Sequence, residues 1–275
     1  MPPPPPPSPH PPQRNGNHVP APSGESFAKF YECWISEQSR DLAALRAAAS
    51  AATNPAAPPD DAELRRLVDR VLGHYEHYYR TKSAAASTDV LRMFSPSWTS
   101  TTENLYLWCG GWRPTAALHL LYSKSGAQLE TQLPVFLAGG GLGTGDLGDL
   151  SAEQLQAADQ LQRITISKER EIENAAASAQ ESLATVKMVE LAGGGGMDAE
   201  GMEMEMRSKA DGMRRVLEMA DGLRLETMRE VVALLRPSQA VHFLIAAAEL
   251  HLAVHEFGRR KDGDGAASPP PPPPA

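Results

Sequence analysis

The distribution of proline limits the folds open to this chain more than any other feature. Of the 24 prolines, 11 lie within residues 2–22 and 6 within residues 269–274, which leaves seven in the body between them, residues 25–260. Each of these seven falls between runs of apolar residues at three- and four-residue spacing. A sustained two-residue alternation, typical of strands, is absent from the body. We therefore predict an all-α fold, a multi-helix bundle with long C-terminal helices.

The two ends of the chain are predicted to be disordered, Pro-rich tails, residues 1–24 and 261–275. Runs of proline favour polyproline II or disorder, and such segments can bind aromatic grooves of other domains. We favour the simpler interpretation, in which both tails are solvated low-complexity ends.

In the first half of the body, apolar stripes predict two helices. The first covers Glu25–Ala49 and the second follows Asp60, with Glu63 completing a predicted capping box. Their buried faces are predicted to carry Phe27, Phe30, Tyr31, Trp34, Gln38, Leu42 and Leu45, and then Leu64, Leu67, Val68, Val71, Tyr75 and Tyr78. A short helix after Asp89 is predicted to stop near Pro96, and another covers Ala116–Tyr122.

Three long helices are predicted in the second half. The first begins after Ser151 and ends at Gly193–Gly196, with an eleven-residue repeat that includes Leu161, Ile172 and Leu183. The next covers Met202–Leu235, and the last begins at Pro237 and is terminated by Gly258. Residues 139–148 are Gly-rich and predicted to form a flexible loop. They lack the preceding strand and the Gly-Lys-Ser/Thr ending of a phosphate-binding loop.

Charge and targeting signals narrow the function classes. Lys and Arg total 26 against 34 Asp and Glu, a net charge of -8, which excludes a chain that coats nucleic acid by positive charge. Two cysteines suit a reducing compartment, and the N-terminal residues lack the pattern of a signal peptide. The most apolar stretch, residues 240–257, is interrupted by three histidines and two glutamates, so we expect no membrane span.

Four segments of the body resemble one plant protein family. They are Phe27–Leu42, Leu107–Gly126, Asp149–Gln162 and Leu234–Gly258. The second, LWCGGWRPTAALHLLYSKSG, is the most specific. Together they resemble the Delay of Germination family, and the second also resembles the C-terminal region of TGA-type bZIP transcription factors. The resemblance covers nearly the whole body and leaves out the tails and the Gly-rich loops.

This resemblance implies a non-enzymatic regulator of seed dormancy and germination in abscisic acid signalling, in the nucleus and cytoplasm. It implies binding to type 2C protein phosphatases and, in the founding branch, to haem. The alternative is a TGA-like transcriptional co-regulator that joins bZIP factors. Residues 1–24 contain one Arg or Lys, Arg14, whereas a basic-region helix needs many, so we do not expect direct DNA binding. The sequence leaves homodimer formation open.

The resemblance also implies candidate haem ligands. His251 and His255 are four residues apart on the last predicted helix, so their side chains share one face, and the family's haem histidines lie at this position. Two imidazoles one turn apart cannot readily take opposite axial positions on one iron. We therefore expect one to ligate and the other to orient it or to bind in another geometry. A surface or helix-capping role is the alternative.

Tyr31 and Trp34 are the candidate partner-binding residues. The family's first helix is where the resemblance implies contact with the phosphatase, and Tyr and Trp are common interface anchors. Residues 29–30 and 32–33 depart from the motif of the founding branch. Core packing of both side chains is the alternative that we favour.

We predict no catalytic residues and no metal ligands. Cys33 and Cys109 each lie near tryptophan in sequence and are interpreted as small core residues. His74 and His77 are three residues apart and have no third ligand nearby in sequence. The segment HLAVH has Leu252 where a zinc protease needs a glutamate.

The segment Trp108–Pro114 is the signature of the resemblance, and we expect its role to be structural. Its paired glycines permit a sharp turn. Arg113 is expected to pair with a buried carboxylate or with a helix end.

Overall fold

The computed structural model describes residues 24–52, 60–137, 145–193 and 199–266. Within these ranges the chain forms nine α-helices, α1 (Gly24–Ala52), α2 (Asp61–Ala86), α3 (Leu91–Phe94), α4 (Thr101–Leu105), α5 (Thr115–Leu137), α6 (Ala152–Glu181), α7 (Val186–Gly193), α8 (Ala199–Leu234) and α9 (Pro237–Ala266). The one β-type pairing in the same ranges is an isolated bridge between Trp108 and Gly111. The all-α prediction is confirmed. The tails at 1–23 and 267–275 and the Gly-rich residues 139–144 lie outside the described residues.

Helix α9 is the core helix of the bundle, and it packs against α1, α2, α4 and α5. Its buried side chains include Val241, Phe243 and Leu244, each at most 1% exposed. By length and composition alone the segment Pro237–Gly263 is apolar enough to cross a membrane, although its interrupting histidines and glutamates predict no span there. However, 44% of this apolar window is buried inside the bundle, and the helix contacts four other helices. We therefore interpret it as a core helix.

The apolar stripes of α1 and α2 form the interface that the sequence predicts. Phe27 and Leu45, at the two ends of the α1 stripe, are fully buried, and Tyr75 of the α2 stripe is buried as well. Aromatic rings fill the space between these helices, with the rings of Trp34 and Tyr78 4.5 Å apart. Such ring pairs stabilise beyond their buried area, so this end of the core is held by aromatic contacts.

The predicted start of α2 after Asp60 is confirmed, but the predicted capping box with Glu63 is wrong, because the side chain of Asp60 makes no capping hydrogen bond. The backbone carbonyl of Asp60 accepts from Leu64 instead. Helix α5 continues to Leu137 and contains Pro134. The predicted end of this helix at Tyr122 is therefore wrong. Proline removes one backbone donor and disfavours helical backbone in the residue before it, so its place in the last turn coincides with the end of α5.

The long helix predicted from Ser151 to Gly193 is broken. A 3-10 turn at Ser182–Ala184 separates α6 from α7. The last residues of the eleven-residue repeat do not pack, since Leu183 is 52% exposed and Val186 is 75% exposed. The hydroxyl of Ser182 also donates to the carbonyl of Ala179 (2.6 Å), a local bond that competes with helix continuation.

Helix α9 runs past Gly258 to Ala266, so the predicted end at Gly258 and the predicted start of the tail at 261 are wrong. Gly258 is needed for a close approach: a Cβ there would lie 2.0 Å from the hydroxyl oxygen of Ser100. This contact brings the following turn to the start of α4, where the carboxylate of Asp262 accepts from the backbone N–H of Thr101 (2.9 Å). The extra turns of α9 thereby hold α4.

Replacing Gly258 with alanine tests this close approach. Alanine favours a helix over glycine by about 1 kcal/mol, but the added methyl group must push α4 away from α9. We expect Gly258→Ala to lower the free energy of unfolding by about 1–3 kcal/mol, measured by urea denaturation. The matched control is Gly222→Ala in α8, where an added Cβ meets nothing within 4 Å, and which should not destabilise. Equal stability of the two variants would contradict this role of Gly258.

Candidate functional site

The signature segment Trp108–Pro114 forms a tight turn between α4 and α5. The backbone groups of Trp108 and Gly111 exchange hydrogen bonds of 2.7 and 3.1 Å, and the φ angles of Cys109 and Gly110 are 44° and 73°. A Cβ at Gly110 would lie 2.8 Å from the carbonyl oxygen of Met93. Glycine is therefore required at 110 both for its positive φ and for space.

A fully buried arginine in α8 binds the backbone of this turn. The guanidinium of Arg224 donates to the carbonyl oxygens of Trp112 (2.6 Å), Cys109 (3.1 Å) and Trp108, and to Asp221 (2.5 Å). The planar guanidinium presents several N–H donors in fixed directions. It therefore binds several carbonyl oxygens at once where they converge on one point, as those of this turn do. The turn is thus shaped around a cation, which explains its Gly-rich sequence.

Lys82 of α2 completes this buried network. Its ammonium group donates to the carbonyl of Gly110 (2.8 Å) and to Asp221 (2.9 Å). Burial lowers the pKa of Lys82 to about 8, although Asp221 acts in the opposite direction. Lys82 and Arg224 therefore share the single carboxylate of Asp221. The carbonyl oxygens of the turn compensate the rest of their buried positive charge. Sequence reasoning missed Lys82, Asp221 and Arg224, although the last two interrupt the buried apolar face of α8 at a spacing of three.

Arg113 confirms the prediction that it pairs with a buried carboxylate. Its Nε donates to the fully buried Glu169 of α6 (2.8 Å), and Glu169 also accepts from the backbone N–H of Thr115 (2.7 Å) at the start of α5. Burial raises the pKa of the Cys109 thiol. A thiol that resists ionisation is a poor nucleophile, consistent with the structural role expected for this segment.

Removing Arg224 tests the buried network. Arg224→Ala leaves the carbonyls of Trp108, Cys109 and Trp112 without their donor and Asp221 with Lys82 alone, and we expect a loss of about 3–5 kcal/mol in the free energy of unfolding. The control is Arg229→Ala on the same helix, which removes an exposed ion pair with Glu76 and should cost at most about 1 kcal/mol. Chemical denaturation followed by circular dichroism measures both. A cost for Arg224→Ala no greater than that of the control would show that the network contributes little.

The candidate haem residue His255 lies in a second polar cluster, between α1, α4 and α9. Its Nδ1 lies 2.9 Å from the carboxylate of Glu103, which also accepts from the hydroxyls of Ser100 (2.6 Å) and Tyr31 (3.2 Å). Burial acts to raise the pKa of Glu103, but the hydrogen bonds from Ser100 and His255 outweigh it, and the pKa lies below the usual range. Because the carboxylate accepts, Nδ1 of His255 carries the proton.

The other candidate ligand, His251, packs one turn earlier against α1. Its Nδ1 lies 2.6 Å from the side-chain oxygen of Gln38, whose amide nitrogen donates to the hydroxyl of Tyr75 (3.0 Å). The ring of Trp34 lies 5.4 Å from the imidazole. The two histidines therefore share one face of α9, as their spacing predicts, and that face is turned toward α1.

The donor chemistry of these histidines suits a haem iron, but the space around them does not. In both rings Nδ1 is held by a hydrogen bond, as in many metal-ligating histidines. Yet His255 is 9% exposed and its ring packs against Tyr31 (6.0 Å). Two cavities in the described part of the chain, of about 490 and 430 Å³, are lined by neither histidine. As packed, the site does not fit a haem, and haem binding stays a prediction.

Tyr31 and Trp34 are core residues of α1, 4% and 9% exposed. The preferred interpretation, core packing, is confirmed. Their contact with a partner stays a prediction, and the exposed side of α1 carries Glu32 and Cys33 instead. The prediction that Cys33 packs in the core is wrong, because Cys33 lies beside Glu32 on the exposed side of α1 and outside its buried stripe.

The two histidines of α2, His74 and His77, contact different neighbours. The ring of His77 packs edge-on against Phe30 at 5.4 Å. His74 instead meets α1, where its Nδ1 lies 2.6 Å from a carboxylate oxygen of Asp41 and its Nε2 lies 3.8 Å from Glu37. The sequence alone gave His74 no third ligand because these carboxylates lie more than thirty residues away in the chain.

Burial of His251 predicts a loss of stability in acid. Burial lowers its pKa to about 4, whereas the unfolded chain has the usual value of about 6.5. The unfolded state therefore binds the proton first, so this stability is complete above about pH 6.5 and is lost as the pH falls toward 4. We expect His251 to contribute on the order of 2 kcal/mol to this loss.

Urea denaturation of the wild type and of His251→Gln at pH 7 and pH 5 measures this contribution. The variant should show a flatter pH dependence, while the exposed control His119→Gln should keep the wild-type dependence. His242, whose pKa burial also lowers, supplies a residual slope in every variant. An unchanged slope in His251→Gln would assign the acid loss to other groups.

Comparisons with known proteins show the family to which this chain belongs. The family described as seed dormancy control, DOG1, matches residues 41–123. Protein DOG1-like 3 of Arabidopsis thaliana is 31% identical over 240 residues, which cover 85% of this chain and 83% of the relative. Protein DOG1-like 2 of the same plant is 31% identical over 241 residues, covering 84% and 89%. The chain belongs to the DOG1-like family.

This DOG1-like protein is also similar to transcription factors. TGA6 of Arabidopsis thaliana is 29% identical over 239 residues, which cover 86% of this chain but 62% of TGA6. Both resemblances identified from the residues are therefore confirmed. The DOG1 match at 41–123 includes Lys82 and the turn, whereas Arg224 and the two histidines of α9 lie outside it.

Proposed function

We propose that this protein is a non-enzymatic regulator of seed dormancy and germination that acts by binding other proteins. The observation that carries the proposal is the similarity to DOG1-like relatives over 85% of the chain, a length that spans the helical body rather than one motif. The chemistry of the interior supports it. The buried charged groups Lys82, Asp221 and Arg224 bind one another and the backbone, which leaves them engaged in structure rather than in catalysis.

The partner in this proposal is a type 2C protein phosphatase of abscisic acid signalling. We place the contact on the exposed side of α1, which carries Glu32, Cys33 and Ser36. Tyr31 and Trp34 lie on the opposite, buried side and hold α1 against α2 and α9. They therefore act as positioning residues, so their replacement would alter binding through the placement of α1.

Binding of the full chain to a purified type 2C phosphatase, measured by isothermal titration calorimetry, tests this proposal. We expect Glu32→Arg to weaken binding about tenfold or more, since a reversed charge inside an interface costs several kcal/mol. The matched control is Glu171→Arg on the exposed side of α6, which should bind as the wild type does. Absence of binding by the wild type would overturn the phosphatase as partner.

A second variant separates the two roles of α1. Trp34→Ala, in protein shown by circular dichroism to remain helical, should weaken binding if the position of α1 matters. Binding that survives Trp34→Ala at wild-type strength would remove Trp34 from the interaction.

The alternative is a TGA-like transcriptional co-regulator in the nucleus. It is favoured by one observation, the match to TGA6 over 86% of this chain. In this function the chain joins DNA-bound bZIP factors without contacting DNA itself. The same calorimetric assay with a purified TGA factor distinguishes the two: binding to the TGA factor without binding to the phosphatase would establish the co-regulator.

A further inference from the structure

The carboxylates and the imidazole at the α1–α2 interface form a three-residue donor set that the sequence does not reveal. Glu37 and Asp41 lie one turn apart on α1, and His74 lies opposite them on α2. One donor atom from each residue lies within 4.8 Å of the other two. We propose that Glu37, Asp41 and His74 bind a divalent cation of the zinc type, which joins α1 to α2.

The chemistry of these donors suits zinc. Zn²⁺ is bound in proteins by imidazole nitrogen and carboxylate oxygen, and three protein ligands leave a fourth position for water. Harder cations such as Mg²⁺ and Ca²⁺ prefer oxygen ligands alone, so the imidazole of His74 favours a transition metal over them. Because the donor set combines one nitrogen with two oxygens, it favours zinc over Mg²⁺ and Ca²⁺.

A single zinc ion needs one nitrogen of His74 close to both carboxylates. Zinc bonds of about 2.0–2.2 Å in a tetrahedron place neighbouring ligand atoms about 3.3 Å apart. The Nδ1 of His74 lies 2.6 Å from Asp41, a separation that must widen by about 0.7 Å to match this geometry. The nitrogen that lies 3.8 Å from Glu37 is Nε2, so the carboxylate of Glu37 or the imidazole must turn before all three residues bind one ion. The side chains of His74 and Glu37 are about one-third exposed, so both are free to turn without moving the helices.

The local charge favours a cation. The side chain of Asp41 is 8% exposed, and among the described residues its one charged or hydrogen-bonding partner is the imidazole of His74. Glu37 pairs with Arg40, whose side chain is 71% exposed, a contact of little strength. Two carboxylates therefore face one imidazole across the helix interface, an excess of negative charge that a divalent cation compensates.

A metal ion and a proton compete for an imidazole ligand, because the ligating nitrogen must be deprotonated. Zinc binding by this donor set therefore weakens as the pH falls. This competition gives a readout that a purely structural ion pair does not have.

Calorimetric titration of the full chain with Zn²⁺, with Co²⁺ as a spectroscopic substitute, tests the site. We expect one saturable zinc site, visible-region absorption from the cobalt complex and a rise in melting temperature with added zinc. His74→Ala and Asp41→Asn should each weaken zinc binding about tenfold or more, since even the loss of an outer hydrogen-bond partner costs that much. The exposed control His119→Ala should bind as the wild type does.

Each outcome decides the proposal. A wild type that takes up no zinc in a saturable manner overturns it, as does a His74→Ala variant that binds zinc with unchanged affinity. Loss of binding in His77→Ala, with His74→Ala unaffected, would place the metal elsewhere on α2. Because Asp41→Asn keeps the size of the side chain, loss of zinc binding in a variant that melts at the wild-type temperature without metal identifies Asp41 as a ligand.

Discussion

The guanidinium of Arg224 is completely buried, and a buried cation requires compensation from its surroundings. One carboxylate, Asp221, is shared with a second buried cation, Lys82, and cannot supply it alone. The backbone carbonyls of the Trp108–Pro114 turn supply the rest. The inward direction of these carbonyls and the glycine at 111, where a Cβ would lie 2.8 Å from the guanidinium carbon of Arg224, follow from this requirement.

The histidine pair of α9 shows the same principle on a smaller scale. Each ring donates a hydrogen bond from its Nδ1 to a side chain that is itself held by a second hydrogen bond. His255 binds Glu103, which Ser100 holds, and His251 binds Gln38, which Tyr75 holds. These bonds connect α9 to α1 and α4 through polar contacts inside an otherwise apolar interface. Such bonds fix the rotation of α9 about its own axis, which apolar packing alone leaves less defined.

The sequence predicts what depends on local periodicity. The buried faces of α1 and α2 and the structural role of Arg113 follow from spacing and resemblance. The extension of α9 past Gly258 does not, because that glycine responds to Ser100, which is distant in sequence. For the same reason, sequence patterns do not predict the partners of Arg224 or the contact of His74 with Glu37 and Asp41. Each of these contacts joins residues from different parts of the chain.

The hydrogen bonds of the buried network bear on which part of a family member can fold by itself. The segment that defines the family, residues 41–123, contains the turn and Lys82 but not the arginine around which the turn is shaped. Expressed by itself, that segment would leave three carbonyls of the turn without their arginine donor and the ammonium group of Lys82 without its carboxylate. The unit of sequence recognition is therefore smaller than the unit of folding, and fragments cut at its borders are not autonomous domains.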